Sequence, residues 1–300
     1  MADKIKYVPT PTELLKAQIY DNLMLYFKNI AINMFEWEGF PENISPDLIS
    51  SEIIEEWLYE AGRAVFFKDN NYGYLCLKVQ TQGQNIVGKP TRFVANGYSY
   101  IKSLTPDECV MIKNNGTSTP TRQLIQYYVE QIADIELLKK LRRNAHKTPI
   151  QVETSDETEL TARNVWKKWD AGEPVIFKNK SRSGQTIGLN AVNTDVQYIN
   201  NLLNDEENTY IANILTLLGI SNYVEDKAER VQSAEVEAQQ DYVQQSYLAS
   251  FEYRQKACDS INKKFGLNLK VKKKEQQIKK PPILNESDFN FEDFGGDNNE

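Results

Sequence analysis

TPTRQLIQYYVEQIADIELLKKLRR, residues 119–143, opens with Pro120 in the first turn of a helix, where proline is tolerated. Leu124, Tyr128, Ile132, Ile135 and Leu138 then recur at spacings of three and four, the pattern of one apolar helix face. Lys139, Lys140, Arg142 and Arg143 gather at the far end, where cations suit the negative pole of the helix dipole. About 25 residues give roughly 37 Å of helix. A second long helix follows at 194–219, TDVQYINNLLNDEENTYIANILTLLG, capped by Thr194-Asp195 and closed by Gly219. Its apolar positions are Ile199, Leu202, Leu203, Tyr210, Ile211, Ile214, Leu215 and Leu218.

Between them, Thr148-Pro149 breaks the helical pattern. Ile150–Val152 reads as a strand, Glu159–Asp170 as a short helix and Pro174–Lys178 as another strand, with Gly184 and Gly188 in turns. Two long helices therefore flank a compact α/β insert of about 45 residues, within the usual range for such small modules.

Upstream, the spacing predicts a helix from an N-cap at Thr12 to about Trp37, with Leu15, Ile19, Leu23, Tyr26, Phe27, Ile30 and Met34 on one face. A second helix is expected over Pro46–Gly62. Residues 63–113 change to β-branched and aromatic runs at Ala64–Phe67, Tyr72–Val79 and Arg92–Ser103, punctuated by Gly83, Gly88 and Asn96-Gly97. That predicts a small antiparallel sheet with Asn-Gly as a hairpin turn. Asn114–Ser118 reads as a linker. Downstream, Glu225, Asp226, Lys227, Glu229, Arg230, Glu235 and Glu237 form a polar stretch, either a loop or a solvated helix. A helix over Tyr242–Phe265 and a closing strand over Leu267–Val271 precede a tail that is basic over Lys272–Lys280 and acidic over Glu286–Glu300. That tail is expected to lack fixed structure.

The 300 residues carry 35 cations and 42 acids, a formal charge of −7, which argues against broad phosphate neutralisation as a route to tight nucleic-acid binding. No apolar run is long enough to span a membrane, and Met1-Ala2-Asp3-Lys4 opens no secretory signal. Cys76, Cys109 and Cys258 lack metal-binding spacing and read as buried, reduced thiols of a cytosolic protein. The single histidine, His146, has no partner acid or nucleophile at a diagnostic spacing. Gly83-x-x-x-x-Gly88-Lys89 has the spacing of a phosphate-binding loop, but Pro90 stands where the motif needs Ser or Thr, and no helix pattern follows. Glu52, Glu55, Glu56 and Glu60 read as the solvated face of the second helix. No catalytic residue, metal site or cofactor is expected.

Seven blocks in the same order resemble the portal, or upper-collar connector, proteins of small phi-29-like podoviruses. They are Phe35-Glu36-Trp37-Glu38, Thr119-Pro120-Thr121, Asn144–Pro149, Pro174–Phe177, Leu217–Asn222, Lys227–Val231 and Ala257–Lys272. The resemblance implies an α+β, mainly helical chain: long stem helices, a small SH3-like or α/β clip, and a β-containing wing, assembling as a ring of twelve at a capsid vertex. The implied division is wing at 1–113, stem helix at 119–148, clip at 149–192, stem helix at 193–222, channel loop at 223–240, a wing or crown helix and strand at 241–271, and flexible tail at 272–300. It implies a non-enzymatic virion protein assembled in the bacterial cytoplasm, through which double-stranded DNA is packaged and ejected. Its implied partners are the major capsid protein, a packaging ATPase with or without a packaging RNA, and lower-collar or tail proteins, with no membrane.

Twelve helices about 10 Å apart make a ring about 38 Å across between axes, leaving a lumen of roughly 28 Å. A duplex roughly 20 Å wide passes through that opening. The second stem helix carries Asp195, Asp205, Glu206 and Glu207, with no Lys or Arg between 193 and 222. These acids either line the lumen and repel phosphate or form an ordinary outer face. The resemblance makes Glu225, Asp226, Lys227, Glu229 and Arg230 the channel loop, which reaches toward DNA. Relatives place lysines along the second stem helix where this chain has Leu203 and Glu207, so any basic ring shifts to Lys227 and Arg230. Two rival readings are another virion ring or adaptor, such as a lower collar, and a Mg²⁺-dependent nucleic-acid-processing enzyme.

Overall fold

The computed structural model describes residues 10–41, 45, 47–146, 150–153, 188–191, 199–221 and 233–274. The chain divides into two compact units, one of Met1–Ile135 with Asn204–Glu300, the other of Glu136–Leu203. Mixed helix and antiparallel strand fit the expected α+β class.

In the first unit, α1 spans Pro11–Ile32. Its cap is Thr10, not Thr12: the Thr10 hydroxyl accepts from the Glu13 N–H at 3.3 Å, and the Glu13 carboxylate accepts from the Thr10 N–H at 2.8 Å. That reciprocal box satisfies donors at the helix start, and Pro11 at the first position lacks the N–H that would go unpaired there. The helix also stops earlier than its apolar stripe suggests. Phe35–Glu38 is a strand, β1, whose Phe35 and Trp37 point inward while Glu38 points out. An alternation of period two fits a strand better than a helix turn. β1 pairs antiparallel with β9, Lys270–Lys273, so that Trp37 stands opposite Val271 and Glu36 opposite Lys272. Lys272 binds both Glu36 and Glu38. Residues 272–274 thus belong to the fold and not to the tail, and the closing strand begins at Lys270, later than expected.

Helix α2 spans Ser51–Ala61 and begins later than expected because the Ser50 hydroxyl caps it, accepting from the Ile53 N–H. It ends on Gly62 at φ +70°, where an added Cβ would stand 2.2 Å from the Ser118 carbonyl oxygen. A glycine is therefore needed for its backbone angle and for the close approach of the linker.

A five-stranded antiparallel sheet follows, built from β2 (Arg63–Asp69), β3 (Gly73–Gln84), β4 (Pro90–Asn96), β5 (Ile101–Leu104) and β6 (Cys109–Lys113). Its order is β5-β4-β3-β2-β6. Asn96-Gly97 opens the β4–β5 hairpin as expected, the Gly97 N–H bonding the Tyr100 carbonyl at 2.8 Å. β2 is buried on both faces, so its run Ala64-Val65-Phe66-Phe67 divides between two cores. Ala64 and Phe66 join the larger core with Phe27 of α1 and Ile54 and Leu58 of α2, while Val65 and Phe67 join Leu75, Phe93 and Leu104 on the other side.

Three more helices complete the larger core: α3 (Thr121–His146), α4 (Asn200–Leu217) and α5 (Ser233–Phe265). The buried line of α3 is Ile125, Val129, Ile132, and Leu124, expected inside, is 40% exposed. Ile214 and Leu218 from the α4 end and Cys258 and Ile261 from α5 pack into the same cluster. α5 starts nine residues before the expected Tyr242, so residues 233–240 of the polar stretch are helical.

The second unit holds the C-terminal part of α3, the start of α4, and a two-stranded antiparallel pair, β7 (Ile150–Glu153) with β8 (Gly188–Ala191). Gly188 pairs with Glu153 inside the ladder, where a turn was expected: its neighbours Leu189 to Ala191 continue the pairing register. Leu138, expected on the apolar face of α3, is 38% exposed. The expected helix at 159–170, strand at 174–178 and turn at Gly184 lie outside the described residues.

Candidate functional site

Helix α4 carries three of the four acids that the sequence singles out as a channel wall, Asp205, Glu206 and Glu207. A residue advances about 100° around a helix, so Asp205 and Glu207 face about 200° apart. Asp205 and Glu206 are exposed, and Glu207, at 4% exposure, is buried. Asp205, Thr209 and Asn213 follow one another at four-residue spacing along an exposed polar face. The Thr209 hydroxyl donates back to the Asp205 carbonyl at 2.8 Å, and the Tyr210 hydroxyl donates to Glu206 Oε1 at 3.3 Å. Desolvation first, and then the Glu206 charge, raise the Tyr210 phenol above its ordinary value, so it stays a neutral donor. Tyr210 also meets Tyr128 of α3, ring centroids 6.2 Å apart, which holds this part of α4 against α3. Asp205 and Glu206 present exposed carboxylates there, and the chemistry of a carboxylate toward phosphate is repulsion.

Asp195 and the loop residues Glu225, Asp226, Lys227, Glu229 and Arg230 lie outside the described residues. The structure thus brings together two exposed acids of the four on the predicted wall and turns the third, Glu207, inward.

The sequence did not mark a densely connected charged centre that stands elsewhere in the first unit. Arg254 of α5 is 3% exposed and Glu55 of α2 is 2% exposed. The guanidinium donates from Nε to Glu55 Oε1 at 2.8 Å and from Nη2 to Oε2 at 2.6 Å. It also donates to the Asn114 side chain at 3.0 Å and the Asn114 carbonyl at 3.1 Å. Phe35 lies against it, 4.2 Å from ring centroid to guanidinium carbon, and Trp37 Nε1–H donates to Glu55 at 2.8 Å. This two-pronged ion pair ties α2, α5, β1 and the linker after β6 together. The helix-2 glutamates are therefore not a uniform solvated face. Glu55 is buried, Glu56 holds Lys28 at 2.7 Å, and Glu60 holds Lys28 at 3.2 Å and Arg122 at 3.0 Å. The available signal was Glu55 falling one residue from the buried Ile54 on the helix stripe.

A cavity of about 30 Å³ beside this centre is lined by Tyr59, Asn114, Thr121, Ser250 and Arg254, among others. That is room for about one water molecule, far below the roughly 300 Å³ of an ordinary small-molecule site. The Gly83–Lys89 segment is a hairpin tip, not a phosphate cradle: the Asn85 side chain accepts from the Val87 and Lys89 N–H groups, and Pro90 starts β4. All three cysteines are buried and unbridged. Burial pushes Cys109 up to about 11 and Cys258 up to about 12, so both are neutral thiols. Among the described residues no group of three or more acids, histidines or cysteines is placed to hold a metal ion. No helix among them is long and apolar enough to cross a membrane.

Residues 12–278 match a family model described as Phage Connector (GP10). Among solved structures the chain resembles one in the portal and tail of native bacteriophage P68, at 13% identity over 92% of this chain and 94% of that one, with a TM-score of 0.43. It resembles an HK97 family phage portal protein from Corynebacterium diphtheriae at 13% identity, over 89% of this chain and 96% of that one, with a TM-score of 0.44. It also resembles a chain of the virion of a native gene transfer agent particle at 10% identity, over 91% and 86%, with a TM-score of 0.49.

Proposed function

This chain belongs to the phage connector family and is a portal, or head–tail connector, subunit of a virion, and from that premise we propose how it works. Copies close into a ring of twelve at one capsid vertex, with double-stranded DNA passing through the central channel during packaging and ejection. The ring is a structural conduit, not an enzyme: it seats a separate packaging ATPase, contacts the major capsid protein, and receives the lower collar and tail. It assembles in the host bacterial cytoplasm. The observation that carries the reading is the family match over residues 12–278, nearly the whole chain.

Helices α3 and α4 serve as the stem, and 149–192 as the clip. Asp205 and Glu206 of α4 face the lumen with Asp195, and the loop around Glu225, Asp226, Lys227, Glu229 and Arg230 reaches toward the DNA. Carboxylates along α4, which carries no Lys or Arg, leave the duplex without strong binding sites on that helix, so it slides. Electron microscopy with native mass measurement of the purified protein tests the reading. The expected result is a ring of about twelve copies, each about 34.6 kDa, around a hole wide enough for a duplex. A monomer at every concentration tried overturns it.

A further inference from the structure

The β3–β4 hairpin outruns the sheet that supports it. β2 pairs with β3 only as far as Lys78, and β5 pairs with β4 only from Phe93 onward. From there the ladder continues alone, Gln82 opposite Arg92 and Gln84 opposite Pro90, as a two-stranded arm. Every residue from Gln82 to Lys89 is exposed. At the tip stand two aliphatic side chains, Ile86 at 104% exposure and Val87 at 68%. The tip is nevertheless fixed. Asn85 and Lys89 bond across it through the backbone at 2.9 Å, and the Asn85 carboxamide takes the Val87 and Lys89 N–H groups at 3.1 and 2.8 Å. An ordered tip that offers apolar groups to water is built for contact, because little conformational freedom remains to be lost on docking.

Charge narrows the partner. No acidic residue lies between Asp69 and Asp107, while Lys78, Lys89, Arg92 and Lys102 do. Lys102 is held by Asp69 at 2.7 Å, and Lys89 and Arg92 are exposed on the arm itself. All 42 acids of the chain stand outside this stretch, against 35 cations of which four are in it. The rest of the chain carries 42 acids against 31 cations, so a second copy is on balance an acidic partner for a basic arm. Two exposed cations are few for a duplex, whose binding grows with the number of phosphates neutralised.

We propose that the β3–β4 arm is one half of the contact between neighbouring copies of this chain, its Ile86–Val87 tip seated on an acidic and apolar surface of the next subunit. The inference rests on the ring reading above. An arm meeting a different surface on its neighbour makes a head-to-tail contact, the kind that repeats around a closed ring.

The test uses the full chain. A photo-crosslinking residue at position 87 reports what the tip touches, and the double substitution Ile86→Asp with Val87→Asp removes the apolar tip. Circular dichroism and the melting temperature show whether the variant folds; at exposed positions both are expected to be unchanged. The expected result is a covalent ladder of dimers and higher multimers on illumination, and a folded variant that forms rings only at tenfold or higher concentration. Rings of the unmodified chain, with no crosslink between copies and undiminished assembly of the variant, overturn the arm and leave the ring. An unmodified chain that stays monomeric overturns both. A crosslink to added duplex DNA alone overturns the proposal in favour of a nucleic-acid arm.

Discussion

Arg254 and Glu55 are 199 residues apart in sequence and fully enclosed in the fold. Taking two charges out of water is costly, and the two-pronged geometry offsets that cost together with Asn114, Trp37, Phe35 and the Ser250 carbonyl, which accepts from Arg254 at 3.0 Å. Removing one partner strands the other, so Arg254→Met is expected to cost about 3–5 kcal/mol in urea unfolding. Adding Glu55→Leu to it should restore part of that loss, because no buried charge then remains. The fold also uses the charge of Asp69. Hydrogen bonds from Lys102 and then Tyr100, each at 2.7 Å, and from the Asn71 and Tyr72 N–H groups hold its carboxyl well below the usual carboxylate range. A lowered folded value means that the charged form stabilises the fold above the unfolded carboxyl value of about 4. That stability is lost as pH falls below about 4 toward the folded value. Melting curves from pH 7 to pH 2 should show Asp69→Asn less stable than the parent at neutral pH, with a smaller further loss on acidification.

At the scale of elements, the sheet and the long helices were legible because alternation and three-four spacing are local signals. Boundaries were less so where two patterns overlap. Met34 continues the α1 stripe and is buried, yet Asn33 already ends the helix, its side-chain amide bonding the Asn29 carbonyl at 2.9 Å. Phe35 and Trp37 then serve a strand whose partner lies more than 200 residues away, a pairing no local window contains. On α3, Ile132 and Ile135 are buried as expected, but Ile125 and Val129 replace Leu124 and Tyr128 in the first turns, because Leu124 and Ile125 are equally apolar and only the packed neighbours choose between them. The same limit hid the buried Glu55, whose partner is on another helix, and left Glu207 on the predicted wall although it faces inward. Gly62 is where element geometry is most exposed to a single change. Gly62→Ala forces a left-handed angle on a residue with a Cβ, which costs about 1–3 kcal/mol. It also drives that atom into the backbone of Ser118, Thr119 and Pro120 just ahead of α3, so a melting temperature several degrees lower is expected.

For the whole molecule, the decisive quantity is charge summed around a ring. One acid on one helix is weak in water, but in the ring proposed above Asp205 and Glu206 recur in every copy and would add up to the potential of the proposed lumen. Assembled rings carrying Asp205→Lys with Glu206→Lys should retain linear duplex DNA in a filter assay at low salt and release it as salt rises. Parent rings should retain little under both conditions. Equal retention by parent and variant would place these acids on an outer face.

The pairing of β1 with β9 also bears on how the chain is made. Glu36 and Glu38 cannot meet Lys272 until more than 230 further residues have been made, and Trp37 waits as long for Val271. Leu269 is clasped by Asn262, N–H and carbonyl alike, only at that stage. A nascent chain interrupted before residue 270 therefore leaves two large aromatic side chains beside an unpaired strand. Among the described strands β9 is the last to be made, so the β1–β9 pair closes only after the segment that carries it has been synthesised.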